Sequence, residues 1–127
     1  MPRMTAEKQR ELGIAGFRAY LNLACAWELT ETQAARLLGT SVGTYQRWKR
    51  QPDHANLDVN HLERLSLIFA IYKNLHILLP REDAADSWVK RPNANPPFGQ
   101  RSPLDRMLSG QVADLLVVRQ HLDSARG

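Results

Sequence analysis

The chain of 127 residues carries a single cysteine, no apolar run that could cross a bilayer, no glycine-rich phosphate loop and no alternating strand pattern. One cysteine, Cys25, excludes an internal disulfide and a cysteine-based zinc site, and it suits a reducing cytoplasm. Set among Leu23, Ala24, Ala26 and Trp27, it reads as a small buried apolar residue rather than a reactive thiol. The longest apolar run, Leu65 to Tyr72, is interrupted by Ser66 and falls far short of the roughly 20 residues a membrane span requires. No secretory signal is visible. The expectation is a soluble cytoplasmic protein with no membrane contact. His54, His61, His76 and His121 form no pair at metal-ligand spacing, so each reads as a loop or surface histidine and no metal is expected. Gly13, Gly16 and Gly39 lack the strand-then-helix setting of a nucleotide loop. Glu82, Asp83 and Asp86 read as the solvated face of one short helix. No nucleophile sits beside a base, so neither catalysis nor a cofactor is expected.

A further absence is local. No acid occurs between Thr32 and Gln51, whereas basic and acidic residues nearly balance after Leu57. The net charge of +4 is therefore concentrated at one place. That place reads as two short helices and a tight turn. Thr30 and Gln33 have the spacing of a capping box. Ala34 and Leu38 share a face, and Ala35 is small where a second helix must cross closely. Gly39 ends the first helix in the left-handed conformation a sharp turn requires. Ser41 caps the second helix, on which Tyr45 and Trp48 face inward. Gln46, Arg47, Lys49 and Arg50 remain outside, with Ser41 and Thr44 near the helix start. This is the form of a helix-turn-helix whose second helix enters the DNA major groove. The six residues Ser41, Thr44, Gln46, Arg47, Lys49 and Arg50 are the expected DNA contacts. Gly43 dissents mildly, because glycine costs about 1 kcal/mol inside a helix. At the first turn the cost is lower, and a glycine there lets the helix approach the DNA backbone.

The remaining chain reads as helical throughout, so the fold class is all-α. Thr5 to Trp27 is an amphipathic helix with Ile14, Phe17, Leu21 and Ala24 on one face. Gln51 to Leu57 is a loop. Asn60, with Glu63 three residues on, is the expected cap of a helix that runs to about Leu79. That helix is apolar nearly all round, so it must be the centre of the protein, a dimer interface, or both. Arg81 to Val89 is a short helix, and Lys90 to Gly99 a loop rich in proline and asparagine. Ser102-Pro103-Leu104-Asp105 is a strong helix start, and that helix stops at Gly110. A last helix spans Gln111 to His121. The expected division is a DNA-binding domain over residues 1–56 and a second domain over 57–127.

The second half carries a resemblance. Asp86-Ser87-Trp88-Val89, then Arg91-Pro92-Asn93, Pro97-Phe98-Gly99, Arg101-Ser102-Pro103-Leu104-Asp105 and Leu108-Ser109-Gly110 resemble the toxin-binding domain of Xre/MbcA/ParS-type antitoxins. With an Xre-like helix-turn-helix before it, the resemblance covers nearly the whole chain. One departure is Gln100, where the family often has a second glycine after Phe-Gly; it should shift the local backbone. The resemblance implies an antitoxin whose C-terminal domain covers the cleft of an RES-domain toxin, an enzyme that consumes NAD. It also implies repression of its own operon through operator DNA. Homodimers are expected to form within a larger complex with the toxin.

Trp88, Arg91, Asn93, Phe98, Arg101 and Arg126 are the residues expected to meet the toxin, since aromatic anchors flanked by arginine and amides are enriched at interfaces. Trp88 and Phe98 could instead close the small C-terminal core. The tail from Leu122 to Gly127, which includes Arg126, either reaches into a neighbour's cleft or frays. Two other readings compete: a stand-alone regulator whose C-terminal domain only dimerises, and an interaction module that no longer binds DNA.

Overall fold

A computed structural model describes residues 5–127, and every element among them is helical. The order is α1 (Ala6–Ala26), α2 (Glu31–Leu38), α3 (Val42–Arg50), α4 (Val59–Leu78), α5 (Glu82–Ser87), α6 (Pro103–Met107) and α7 (Val112–Arg126). Short 3-10 turns at Pro52–His54 and Trp88–Lys90 interrupt the two long connections. No described helix is long and apolar enough to cross a membrane.

Caps decide most of the boundaries. Thr5, Thr30, Ser41 and Ser102 each accept a backbone N–H from the first turn of the helix they open. The capping box is complete at α2: Gln33 N–H donates to Thr30 Oγ1 at 3.1 Å, and Thr30 N–H donates to Gln33 Oε1 at 3.0 Å. A second capping box opens α4, and here the expectation was misplaced. Asp58 is the cap and His61 its reciprocal partner, while Asn60 is already inside the first turn. An aspartate in extended conformation with a residue able to reach back three positions later takes the role before Asn60 can. The ring of His61 also meets the edge of Trp48 at 5.6 Å, so this histidine joins α4 to α3.

The buried face of α1 is rotated from the expected one. Phe17, Tyr20, Leu23 and Ala24 are buried, while Ile14 and Leu21 are only half-buried. Tyr20 sets the phase, because its hydroxyl donates to Ala34 O of α2 at 2.7 Å. Burial pushes its phenol well above its ordinary 10.0. Phe17 meets Tyr45 and Trp48 edge-on at 5.8 Å each, so α1 closes over α3. Cys25 lies one position past the buried Ala24, about 100° round the helix. It is exposed, which corrects the expectation of a buried thiol.

Helix α4 packs on α1 and α2 on one side and on α5 and α7 on the other. The cut expected after residue 56 falls in the loop just before it. Leu65, Leu67, Ile68, Ile71 and Leu75 are buried, so its all-round apolar sequence is explained by central position. Its one fully buried polar residue, Asn74, is satisfied on both sides: Nδ2 donates to Asp123 at 2.9 Å, and Arg126 donates to Oδ1 at 2.7 Å. This network explains why α7 runs to Arg126 rather than stopping at His121, and why the last residues are a helical turn rather than a frayed end.

His76 and Asp86 are also more than surface groups. His76 Nε2 lies 2.8 Å from Asp86 Oδ1 and its ring packs on Tyr72 at 4.2 Å, tying α4 to α5. Asp86 therefore leaves the solvated face on which the sequence placed it.

Candidate functional site

The helix-turn-helix is α2, the turn at Gly39 to Ser41, and α3. Gly39 has φ +82°, which a residue with a side chain tolerates poorly. Ala34, Ala35, Leu37 and Leu38 are buried, and Ala35, the small residue expected at a close crossing, is 1% exposed. Tyr45 and Trp48 form the inner face of α3 and point into the core.

The opposite face carries the chemistry. Gly43, Gln46, Arg47 and Arg50 recur at intervals of three, four and seven, which places them on one stripe at 100° per residue. Gly43, Arg47 and Arg50 are exposed and Gln46 is half-buried. A Cβ at Gly43 would meet nothing within 4 Å, so no packing within the chain requires this glycine. Lys49 and Thr44 flank the stripe on opposite sides. Lys49 lies in the groove that Leu21, Ala24, Cys25, Glu31 and Tyr45 line between α1 and α3. Thr44 is engaged locally: Ser41 Oγ donates to Thr44 Oγ1 at 3.0 Å, and Arg47 Nη2 donates to the same oxygen at 3.1 Å. The six expected DNA residues thus separate into a central stripe, a polar chain at the helix start and one lateral lysine.

Five of the expected toxin-contact residues, Trp88, Arg91, Asn93, Phe98 and Arg101, lie on the segment 88–101, and Arg126 lies on α7. Trp88 and Phe98 meet edge to face at 5.9 Å. His121 of α7 completes the cluster, parallel to Trp88 at 6.3 Å and perpendicular to Phe98 at 5.1 Å. His121 reads as a surface histidine in the sequence, and nothing near it there signals the cluster, because Trp88 and Phe98 reach it only on folding. Phe98 is 3% exposed and belongs to the core, so it supports the surface rather than presenting itself there. Trp88 remains half-exposed.

The loop around these rings is held by its own backbone. Asn93 N–H donates to Arg101 O at 3.0 Å, Gln100 N–H to Asn93 O at 2.9 Å, and Phe98 N–H to Asn95 O at 2.8 Å. The Asn93 side chain accepts from Asn95 N–H at 2.9 Å, so this residue organises the loop from within. Arg106 Nη1 reaches Pro97 O at 3.0 Å from below. Gly99 and Gln100 are both left-handed, with φ +57° and +74°. Gln100 adopts this conformation with a side chain in place, at a cost of about 1–2 kcal/mol. Arg91 folds back to Ala84 O at 3.2 Å and stays exposed, as does Arg101. Arg126 stands apart, held against Asn74.

Asp114 braces the turn between α6 and α7. It accepts from the Ser109 hydroxyl and from Arg106 Nε at 2.9 Å, and these two donors, the Ser109 hydroxyl foremost, hold its carboxyl below the ordinary 3.8. No group of three or more histidines, cysteines or acids among the described residues is placed to hold a metal ion.

Comparison with known proteins matches both halves of the chain. Residues 15–70 match the antitoxin Xre-like helix-turn-helix domain, and residues 74–127 match the antitoxin Xre/MbcA/ParS C-terminal toxin-binding domain. The two matches meet inside α4. The chain is also similar to the uncharacterized protein y4oB of Sinorhizobium fredii, 40% identical over 114 residues that cover 89% of this chain and 85% of that one. A helix-turn-helix domain and a toxin-binding domain are matched in this order on one chain, and the chain belongs to the Xre/MbcA/ParS antitoxin family.

Proposed function

We propose that this antitoxin neutralises an RES-domain, NAD-consuming toxin in the cytoplasm and represses its own operon as a homodimer. It acts by binding and performs no catalysis. The observation that carries this reading is the tandem itself: a basic helix-turn-helix and a toxin-binding domain on one short chain.

At the DNA, Arg47, Arg50 and Gln46 lie along the groove-facing stripe. Arginine is suited to guanine edges and to phosphates alike, and glutamine to adenine. Lys49 reaches a flanking phosphate. Ser41 and Thr44 meet the backbone near the helix start, where N–H groups also face the phosphates. Two copies of the chain would place two recognition helices on successive half-sites.

At the toxin, Trp88 is the anchor, resting on Phe98 and His121. Arg91, Arg101 and the Asn93 loop form its polar rim, and Arg126 lies at the end of α7. The domain covers the toxin's cleft and keeps the nucleotide out.

Co-expression with the product of the neighbouring gene, expected to be an RES-type protein, tests the first half. Survival of the cells, and purification of both chains as one complex, is the expected result. Equal death with and without this chain refutes it. Binding to its own upstream DNA, compared with random duplex at several salt concentrations, tests the second half. Equal affinity for both at every salt concentration would refute operator recognition.

A further inference from the structure

We propose that Arg36 and Arg64 are positioning residues for the recognition helix, fastening the helix-turn-helix to the turn at Leu108 to Gly110 so that the C-terminal half takes part in reading DNA. The proposal rests on the reading that α3 meets DNA.

Two arginines from different helices converge on three consecutive carbonyls. Arg36, in the last turn of α2, donates from Nε to Leu108 O and from Nη2 to Ser109 O at 3.1 Å. Arg64 of α4 donates from Nη2 to Gly110 O at 2.7 Å. These carbonyls follow the five-residue α6. Leu108 caps α6 and Ser109 and Gly110 lie beyond it, so no later turn of that helix takes their carbonyls, and a guanidinium answers them with charge as well as hydrogen bonds.

The path of Arg64 is the decisive detail. A Cβ at Gly39 would lie 2.6 Å from Arg64 Nε and 3.0 Å from its Cδ. The arginine therefore runs flush along the turn of the motif on its way to Gly110. Gly110 is left-handed at φ +89°, and a Cβ there would touch Arg36 Nη2 only at 3.4 Å, an ordinary contact. The glycine that makes room for the fastening is therefore Gly39.

The acceptor turn is itself rigid. Asp114 holds Ser109 by its hydroxyl and Arg106 by its guanidinium. On the other side, only Thr40 separates Gly39 from Ser41, the cap of α3. A shift of the Gly39 turn is therefore a shift of the recognition helix, and direct readout depends on where its side chains reach base edges.

The test uses the full chain with R36M, R64M and the double variant, and R36K and R64K as conservative controls that keep a donor. Hydrogen exchange at the amides of residues 39–44 is read first, without DNA. Affinity for operator and random duplex, and capture of the toxin, are read on the same proteins. The double variant is expected to exchange faster at 39–44 and to bind operator at least tenfold more weakly, with toxin capture retained. The lysine variants should recover part of both losses. Unchanged exchange at 39–44 in the double variant overturns the proposal, and so does unchanged operator affinity. Loss of toxin capture in step with DNA binding also overturns it, because that is general unfolding. If the double variant does not fold, the single methionine variants decide: both readouts at wild-type values in R36M and in R64M would overturn it. A wild-type protein that ignores its own upstream DNA would instead defeat the functional reading, and the exchange measurement would still judge the fastening.

Discussion

Helix α3 and the loop of residues 91–101, the two surfaces proposed to meet DNA and toxin, are of opposite construction. On α3 the backbone is an ordinary helix and the outward residues have few obligations to the fold; even Gly43 faces open space. In the loop the backbone is irregular, is held by its own hydrogen bonds, and is built around a buried ring. On the proposed function, affinity and stability should separate at α3 and be entangled at the loop.

The largest effect should come from the entangled surface. Phe98→Ala removes a fully buried ring and should cost about 3–5 kcal/mol of stability. Toxin capture should fail with it, as denaturant unfolding monitored beside a pull-down would reveal. Trp88→Ala, at a half-exposed position, should lose capture with a smaller drop in the unfolding midpoint. Equal midpoints for the two variants would erase the distinction between anchor and support.

At the separable surface, Arg47→Ala should weaken operator binding by about 1–3 kcal/mol with no change in melting temperature. A melting shift as large as that of Phe98→Ala would break the comparison. Gly43→Ala sharpens it further. With nothing within 4 Å of the new methyl, the helix should gain up to about 1 kcal/mol. DNA affinity should nevertheless fall, because the methyl stands where the helix approaches the duplex. A variant that is both more stable and tighter on DNA would contradict this placement of the glycine.

Acid offers a milder probe. Asp114 titrates below its ordinary 3.8 in the folded state, held mainly by Ser109 and then by Arg106. Its contribution to stability is therefore present above that ordinary value and is lost as pH falls through the lower folded one. Denaturant melts at neutral and strongly acid pH should show this loss, and Asp114→Asn should diminish it. The smallest effect is expected at Gln100, where glycine should relieve the left-handed backbone but cost chain entropy. The net gain should be under about 1 kcal/mol, visible in melting and absent from DNA binding.

Much of the N-terminal half was legible because its signals are local. Thr30, Gln33, Gly39 and Ser41 act within four residues of themselves, and so do Ser102 and Pro103 at α6. What the sequence concealed depends on distant partners. Asn74 looks like a polar intrusion until Asp123 and Arg126 reach it from α7. The rotated face of α1 depends on the hydroxyl of Tyr20 finding Ala34 O. His121 gains its place only when folding brings Trp88 and Phe98 to it, and Arg36 and Arg64 are ordinary helix cations until the turn after α6 arrives. Cys25 was misjudged because its sequence neighbours are apolar, although its own helical angle turns it away from the core.

Because α4 runs unbroken through the junction of the two matched regions, the halves are geared together like parts keyed to one shaft. One residue added between positions 70 and 74 would turn everything downstream by about 100° and push it along by about 1.5 Å. Exchange of reading heads between relatives should therefore succeed only when the splice preserves the phase of that helix.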